Sequence, residues 1–123
     1  MNGEDFKCGG VWFSEVNGTD DGAMSIDVVS TVTGALGGVH FRPGTTPEFR
    51  TISGSCIRPT ALDPRHRIEF YSLGTRPHYF YHGEIETESD GITRARGKRV
   101  SLGLTKEQFE LLRDDDWVGT HTT

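Results

Sequence analysis

Five side chains in this sequence carry most of its chemical potential: the imidazoles of His40 and His66, the guanidinium of Arg42, and the phenols of Tyr79 and Tyr81. An imidazole beside a substrate is a general base near neutral pH, and a phenol or guanidinium donates to a developing oxyanion. His40 and Arg42 stand two apart, as do Tyr79 and Tyr81, and in a strand that spacing puts both members of a pair on one face. His40, Tyr79 and Tyr81 are therefore the catalytic candidates if the protein is an enzyme, with Glu69 weaker because alternation turns it outward. As a ligand-binding set, Trp12, Ser14, His40, Arg42, His66, Phe70, Tyr79 and Tyr81 combine aromatic surface with a few polar groups, the composition of a small-molecule pocket. The sequence shows no nucleophile elbow, paired-carboxylate motif, zinc motif or phosphate loop, which disfavours hydrolytic, phosphoryl-transfer and redox chemistry.

Strands must position these groups. Short apolar-polar alternations run through residues 10–16, 23–31, 36–42, 49–58, 65–73, 79–86, 92–102 and 117–122, separated by Asn17-Gly18, Thr33-Gly34, Pro43-Gly44, Asp63-Pro64 and Asp90-Gly91. Eight strands at this spacing predict an all-β barrel or sandwich. Alternation places Trp12, Ser14 and Val16 on one face, and Leu36, Gly38, His40 and Arg42 on another. It likewise groups His66, Ile68, Phe70 and Ser72, and Tyr79, Tyr81, Gly83 and Ile85. The seventh strand is ambiguous. Either Arg94, Arg96 and Lys98 lie outside, paired with Glu84, Glu86 and Glu88, or they make the interior anionophilic, unless a bulge at Gly97 switches the face midway. The outside arrangement is the preferred one. Thr105-Lys106-Glu107-Gln108 has the form of a capping box and predicts a short helix over 106–113. Asp114, Asp115 and Asp116 read as a solvated helix exit.

With 123 residues, the chain is expected to form a single domain, 1–123. Thirteen basic against eighteen acidic residues give a net charge of −5, the wrong sign for non-specific nucleic-acid binding. No apolar run is long enough for a membrane-spanning helix, and Met1–Asp5 lacks the features of a signal peptide. The expectation is a cytoplasmic protein. Cys8 and Cys56 lack metal or redox spacing and are expected to be free thiols.

The order of the pieces resembles the avidin and streptavidin family, within the calycin-type barrels. Gly10-Val11-Trp12 is similar to that family's first-strand motif, and Thr33-Gly34-Ala35-Leu36-Gly37-Gly38 to its turn into the third strand. Thr51-Ile52-Ser53-Gly54 looks like its fourth strand, Tyr81-His82-Gly83 like its aromatic-x-Gly strand, and Val118-Gly119 like its close. The resemblance implies an eight-stranded antiparallel up-and-down barrel with the short helix before the last strand. It does not carry the biotin site. Ser14 falls where the family has Asn, His40 and Arg42 where it has Tyr and Ser, and Pro77 and Tyr79 where it has Ser and Thr. Tyr81, Phe70 and Val100 replace tryptophans, and His121 falls on or beside the essential Asp.

The expected function is a barrel that holds a partly aromatic or anionic small molecule, with no cofactor and no metal. The alternative is a cofactor-independent cyclase or isomerase using His/Tyr acid-base chemistry. Expected partners are a small-molecule ligand and, through the outward Phe13, Tyr71 and Phe80, a second copy in a homodimer or homotetramer. Neither nucleic acid nor membrane is expected.

Overall fold

The computed structural model describes residues 7–111 and 114–122. Eight strands run in chain order around a closed antiparallel barrel: β1 Gly10–Val16, β2 Thr19–Val28, β3 Ala35–Arg42, β4 Glu48–Ile57, β5 His66–Leu73, β6 His78–Thr87, β7 Thr93–Leu102 and β8 Asp115–His121. One short helix, α1 Lys106–Leu111, precedes β8. This is the expected up-and-down barrel. Closure comes from β1 against β8, with Trp12 opposite His121 and Val16 opposite Trp117.

Local chemistry accounts for the boundaries. Asn17 and Gly18 take φ of 52° and 77°, the left-handed pair a tight two-residue hairpin needs, so Val16 faces Thr19 and β2 begins earlier than alternation alone suggests. The capping box forms: Gln108 N donates to Thr105 Oγ1 at 3.2 Å, and Thr105 N donates to Gln108 Oε1 at 2.9 Å. Positions 112 and 113 of the expected helix lie outside the described residues.

Trp12, Phe70, Tyr81 and Trp117 form the middle of the core with Met24, Ile26, Ile52 and Ile68, all buried. Phe70 stacks on Tyr81 at 5.0 Å between ring centroids, and Trp117 meets both rings edge-on. Burial of each such side chain stabilises the barrel by roughly 1.5–3 kcal/mol. On β7 the inward set is Ala95, Gly97, Arg99 and Ser101. Arg94 and Arg96 pair outside with Glu88, and Lys98 with Asp116. The ladder from His78–Leu102 to Thr87–Thr93 is unbroken, so the bulge weighed at Gly97 is not there. Gly97 instead allows close approach: a side chain there would run into the His82 carbonyl. The one register shift among the described pairs falls between Phe13 and Glu15 on β1.

The expectation of free thiols is corrected. Cys8 and Cys56 are joined by a disulfide, with Cα atoms 5.9 Å apart across a sequence separation of 48. Cys8, just ahead of β1, meets the penultimate residue of β4, a proximity that linear spacing does not reveal.

Candidate functional site at the arginine-lined mouth

An up-and-down barrel gathers the ends of odd strands and the starts of even strands at one rim. Here that rim carries Val16 of β1, Asp21 of β2, Arg42 of β3, Glu48 and Arg50 of β4, Ser72 of β5, Tyr79 of β6, Arg99 of β7 and Asp115 of β8. A depression of about 280 Å³ opens there, lined by Val16, Asn17, Thr19, Asp20, Asp21, Arg42 and Arg99.

The organising group is Asp21, a carboxylate almost fully withdrawn from solvent. Its Oδ2 accepts from Tyr81 at 2.6 Å and from Ser14 at 2.9 Å, and Ser14 Oγ in turn accepts from Trp117 Nε1 at 2.9 Å. Its Oδ1 faces two cations, Arg42 Nε at 3.3 Å and Arg99 at 3.8 Å. An ionised carboxylate out of water needs such donors and counter-charges. Burial, reinforced by the Asp21 charge and hydrogen bond, drives the Tyr81 phenol far above its ordinary range, so it remains a donor at every working pH.

Arg50 is the second organising group, fully buried and inward-facing. It donates from Nε to Ser72 Oγ at 2.8 Å and from one terminal nitrogen to the Ser72 and Pro77 carbonyls. The other terminal nitrogen reaches Glu48 at 2.8 Å and the Thr75 carbonyl at 3.0 Å. These bonds use all five guanidinium protons. Burial works against Glu48's charge, but the Arg50 hydrogen bond outweighs it and holds that carboxyl below its ordinary value. Asp115 is held down in the same way, with Arg99 at 2.6 Å and Asn17 at 2.9 Å outweighing burial. Three guanidiniums, of Arg42, Arg50 and Arg99, sit 4.3–4.9 Å from the centre of the Tyr79 ring. The Nε of Arg99 is buried with no hydrogen-bond partner among the described residues.

The residues singled out from sequence divide between the two ends of the barrel. His40, Arg42, Tyr79, Tyr81, Ser14 and, one layer deeper, Phe70 belong to the mouth or to the network beneath it. His40 is wholly buried. Its Nε2 is 2.7 Å from the Asp21 carbonyl and its Nδ1 2.9 Å from Ser72 Oγ, so both ring nitrogens are occupied. The carbonyl can only accept, which makes Nε2 the protonated nitrogen and Nδ1 the acceptor from Ser72. Burial lowers the His40 pKa from its ordinary 6.5, offset in part by Asp21 and reinforced by Arg42 and Arg50. The ring is a neutral strut with no open lone pair.

His66 lies toward the opposite end, and Trp12, in the core, turns its indole nitrogen that way. Trp12 Nε1 donates to the Cys8 carbonyl at 2.8 Å, and its ring meets His121 edge-on at 4.8 Å. His66 accepts from the Lys7 amide at 3.2 Å, and burial with the Lys7 charge lowers its pKa. The structure therefore brings neither to the arginines. Glu69 faces outward from β5, as alternation requires, and Phe13 and Tyr71 are exposed on the outer surface.

Sequence reasoning missed Asp21, Arg50, Arg99 and Glu48. Arg99 was within reach of the alternation argument, because it shares the face of Ala95 and Gly97. Asp21 and Arg50 gave no local signal: one follows Asp20 in a turn-like stretch, and the other follows an exposed Phe49. Compared with known proteins, the sequence matches no family model and no curated protein.

Proposed function

We propose that the protein binds a small organic anion, a carboxylate or enolate on a compact carbon skeleton, in the arginine-lined mouth. The observation that carries this reading is the convergence of Arg42 and Arg99 on the wall of the 280 Å³ depression. Arg42 is the less committed of the three guanidiniums. Its approaches are 3.3 Å to Asp21, 3.4 Å to the Tyr79 hydroxyl and 3.8 Å to Glu48, against 2.6 Å for Arg99–Asp115 and 2.8 Å for Arg50–Glu48. Its side chain is 29% exposed. A guanidinium presents paired donors that fit a carboxylate edge-on, and Arg99 adds a second positive charge to the same wall. Val16 and Thr19 supply apolar contact for the skeleton.

Isothermal titration with benzoate and its neutral isostere benzamide tests the reading. Benzoate should bind at one site, benzamide at least about tenfold more weakly, and Arg42→Gln should remove the difference. Equal binding of the two compounds, or an unaltered Arg42→Gln, contradicts it.

A second reading, a cofactor-independent cyclase or isomerase using the same mouth, is favoured by Asp21 and Arg42 lying together on the wall of the depression. Asp21 would take the proton and Arg42 would donate to the oxyanion, since His40 has no free nitrogen and the Tyr81 hydrogen is held by Asp21. Recovery of a bound native ligand unchanged after incubation argues for the binder.

The avidin-like part of the reading extends to shape alone. Strand order and the closing Val118-Gly119 support it, whereas the side chains of the mouth form an ionic network with no counterpart of a ureido site, and biotin should not bind. Location is tied to the cysteines. A cytoplasmic setting keeps thiols reduced, and the bonded pair belongs to oxidising surroundings. No helix among the described residues is long and apolar enough to cross a membrane.

A further inference from the structure

At the end of the barrel opposite the arginines, the disulfide has a neighbour. His66 Nε2 lies 3.7 Å from Cys56 Sγ, and one ligand atom each from Cys8, Cys56 and His66 falls within 4.8 Å of the others. All three residues are buried. They come from three places in the chain: the segment before β1, the end of β4 and the start of β5. A zinc ion with Zn–S of about 2.3 Å and Zn–N of about 2.0 Å at tetrahedral angles holds its sulfur and nitrogen ligands about 3.5 Å apart. The existing Cys56–His66 separation is already close to that.

We propose that the reduced protein binds one zinc ion through Cys8, Cys56 and His66, so that this end of the barrel is closed by a disulfide under oxidising conditions and by a metal under reducing ones. The exchange balances. A dithiol reductant delivers two electrons and two protons to the disulfide and becomes a disulfide itself, leaving two cysteine thiols. Zinc then displaces both thiol protons to solvent, and the two sulfurs separate from bonding distance to about 3.8 Å, a movement two side chains can make without the strands shifting. The imidazole lone pair comes from Nε2, 3.7 Å from Cys56 Sγ, and the Lys7 amide that now donates to it at 3.2 Å gives up that bond when zinc takes its place. Three protein ligands leave a fourth position. A surface cavity of about 360 Å³ runs up to His66, lined also by Lys7, Pro64 and Ile85, and is the nearest approach from solvent to the histidine side of the cluster.

The feature is independent of the arginine mouth, and the two can fail separately. The test uses the full chain, reduced with dithiothreitol, desalted without oxygen and titrated with cobalt(II) as the spectroscopic stand-in for zinc. The reduced protein should take up one cobalt with the visible bands of tetrahedral coordination and a thiolate charge-transfer band in the near ultraviolet. The oxidised protein should take up none. Excess zinc should bleach the spectrum, and His66→Ala should weaken cobalt binding at least about tenfold while near-ultraviolet circular dichroism stays native. Reduced protein that takes up no cobalt, oxidised protein that binds it equally, or a folded His66→Ala with unchanged affinity overturns the proposal.

Discussion

At the residue scale, Arg50 shows how this barrel tolerates ions inside it. Its guanidinium is out of water, yet each proton has an acceptor: Glu48, Ser72 twice, and the carbonyls of Thr75 and Pro77. Removing such a group costs more than it contributed, because the acceptors remain buried and unpaired. Arg50→Ala should therefore lower unfolding free energy by about 3–5 kcal/mol in urea denaturation. A loss under 1 kcal/mol would mean that water replaces the guanidinium at little cost. Arg50 also shows where sequence reading stops. Its strand has Phe49 facing out and an arginine facing in, an inversion of the usual preference that no window of residues around it signals. Four of its five bonds go to partners 22 to 27 positions away in sequence, and only Glu48 is near. Asp21 is hidden for the same reason, since Tyr81 lies 60 positions on.

At the element scale, alternation was a good guide wherever a large apolar residue marked one face of a strand. The inward sets of β1, β3, β5 and β6 could be read from Trp12, Leu36, Ile68 and Tyr81, because a one-residue slip would expose each entire set. β7 resisted because its inward face mixes Ala95 and Gly97 with Arg99, so hydrophobicity does not distinguish it from the face of Arg94 and Arg96. The disulfide was illegible for a different reason: it joins a loop to a strand end, and only barrel closure brings them together. By loop-closure entropy, a cross-link spanning 48 residues stabilises the fold by at most about 4 kcal/mol. Replacing both cysteines with serine should thus shift the urea midpoint downward by an amount corresponding to roughly 2–4 kcal/mol, with the β-sheet circular dichroism retained. An unchanged midpoint would mean that the segment before β1 adds no constraint to the unfolded chain.

At the scale of the whole molecule, the ion pairs of the mouth set Arg42, Arg50 and Arg99 against Asp21, Glu48 and Asp115, with Asp20 a fourth carboxylate on the wall of the depression. Two sets of groups tie the stability of the barrel to pH. His40 and His66 both have folded pKa values below 6.5, so the unfolded chain binds more protons as pH drops past that value and stability declines. Glu48 and Asp115 are held below their ordinary values in the fold, so their contribution is present above about pH 4.5 and is lost as pH falls through the lowered values. Urea midpoints should fall from pH 7.5 to 5.5 and more steeply below 4.5, and His40→Gln should flatten the upper part. A midpoint that rises on acidification to pH 5.5 would contradict the buried neutral imidazoles.

These carboxylates also shape the functional account. A ligand carboxylate entering the mouth competes for Arg42 with Glu48 and Asp21, so binding should be selective for anions and moderate in strength. The most direct test is a crystal structure with 4-bromobenzoate and anomalous data at the bromine edge. The account predicts a single bromine peak in the depression, with the carboxylate against Arg42 and Arg99. A peak elsewhere on the barrel, with the mouth side chains unmoved, would contradict it.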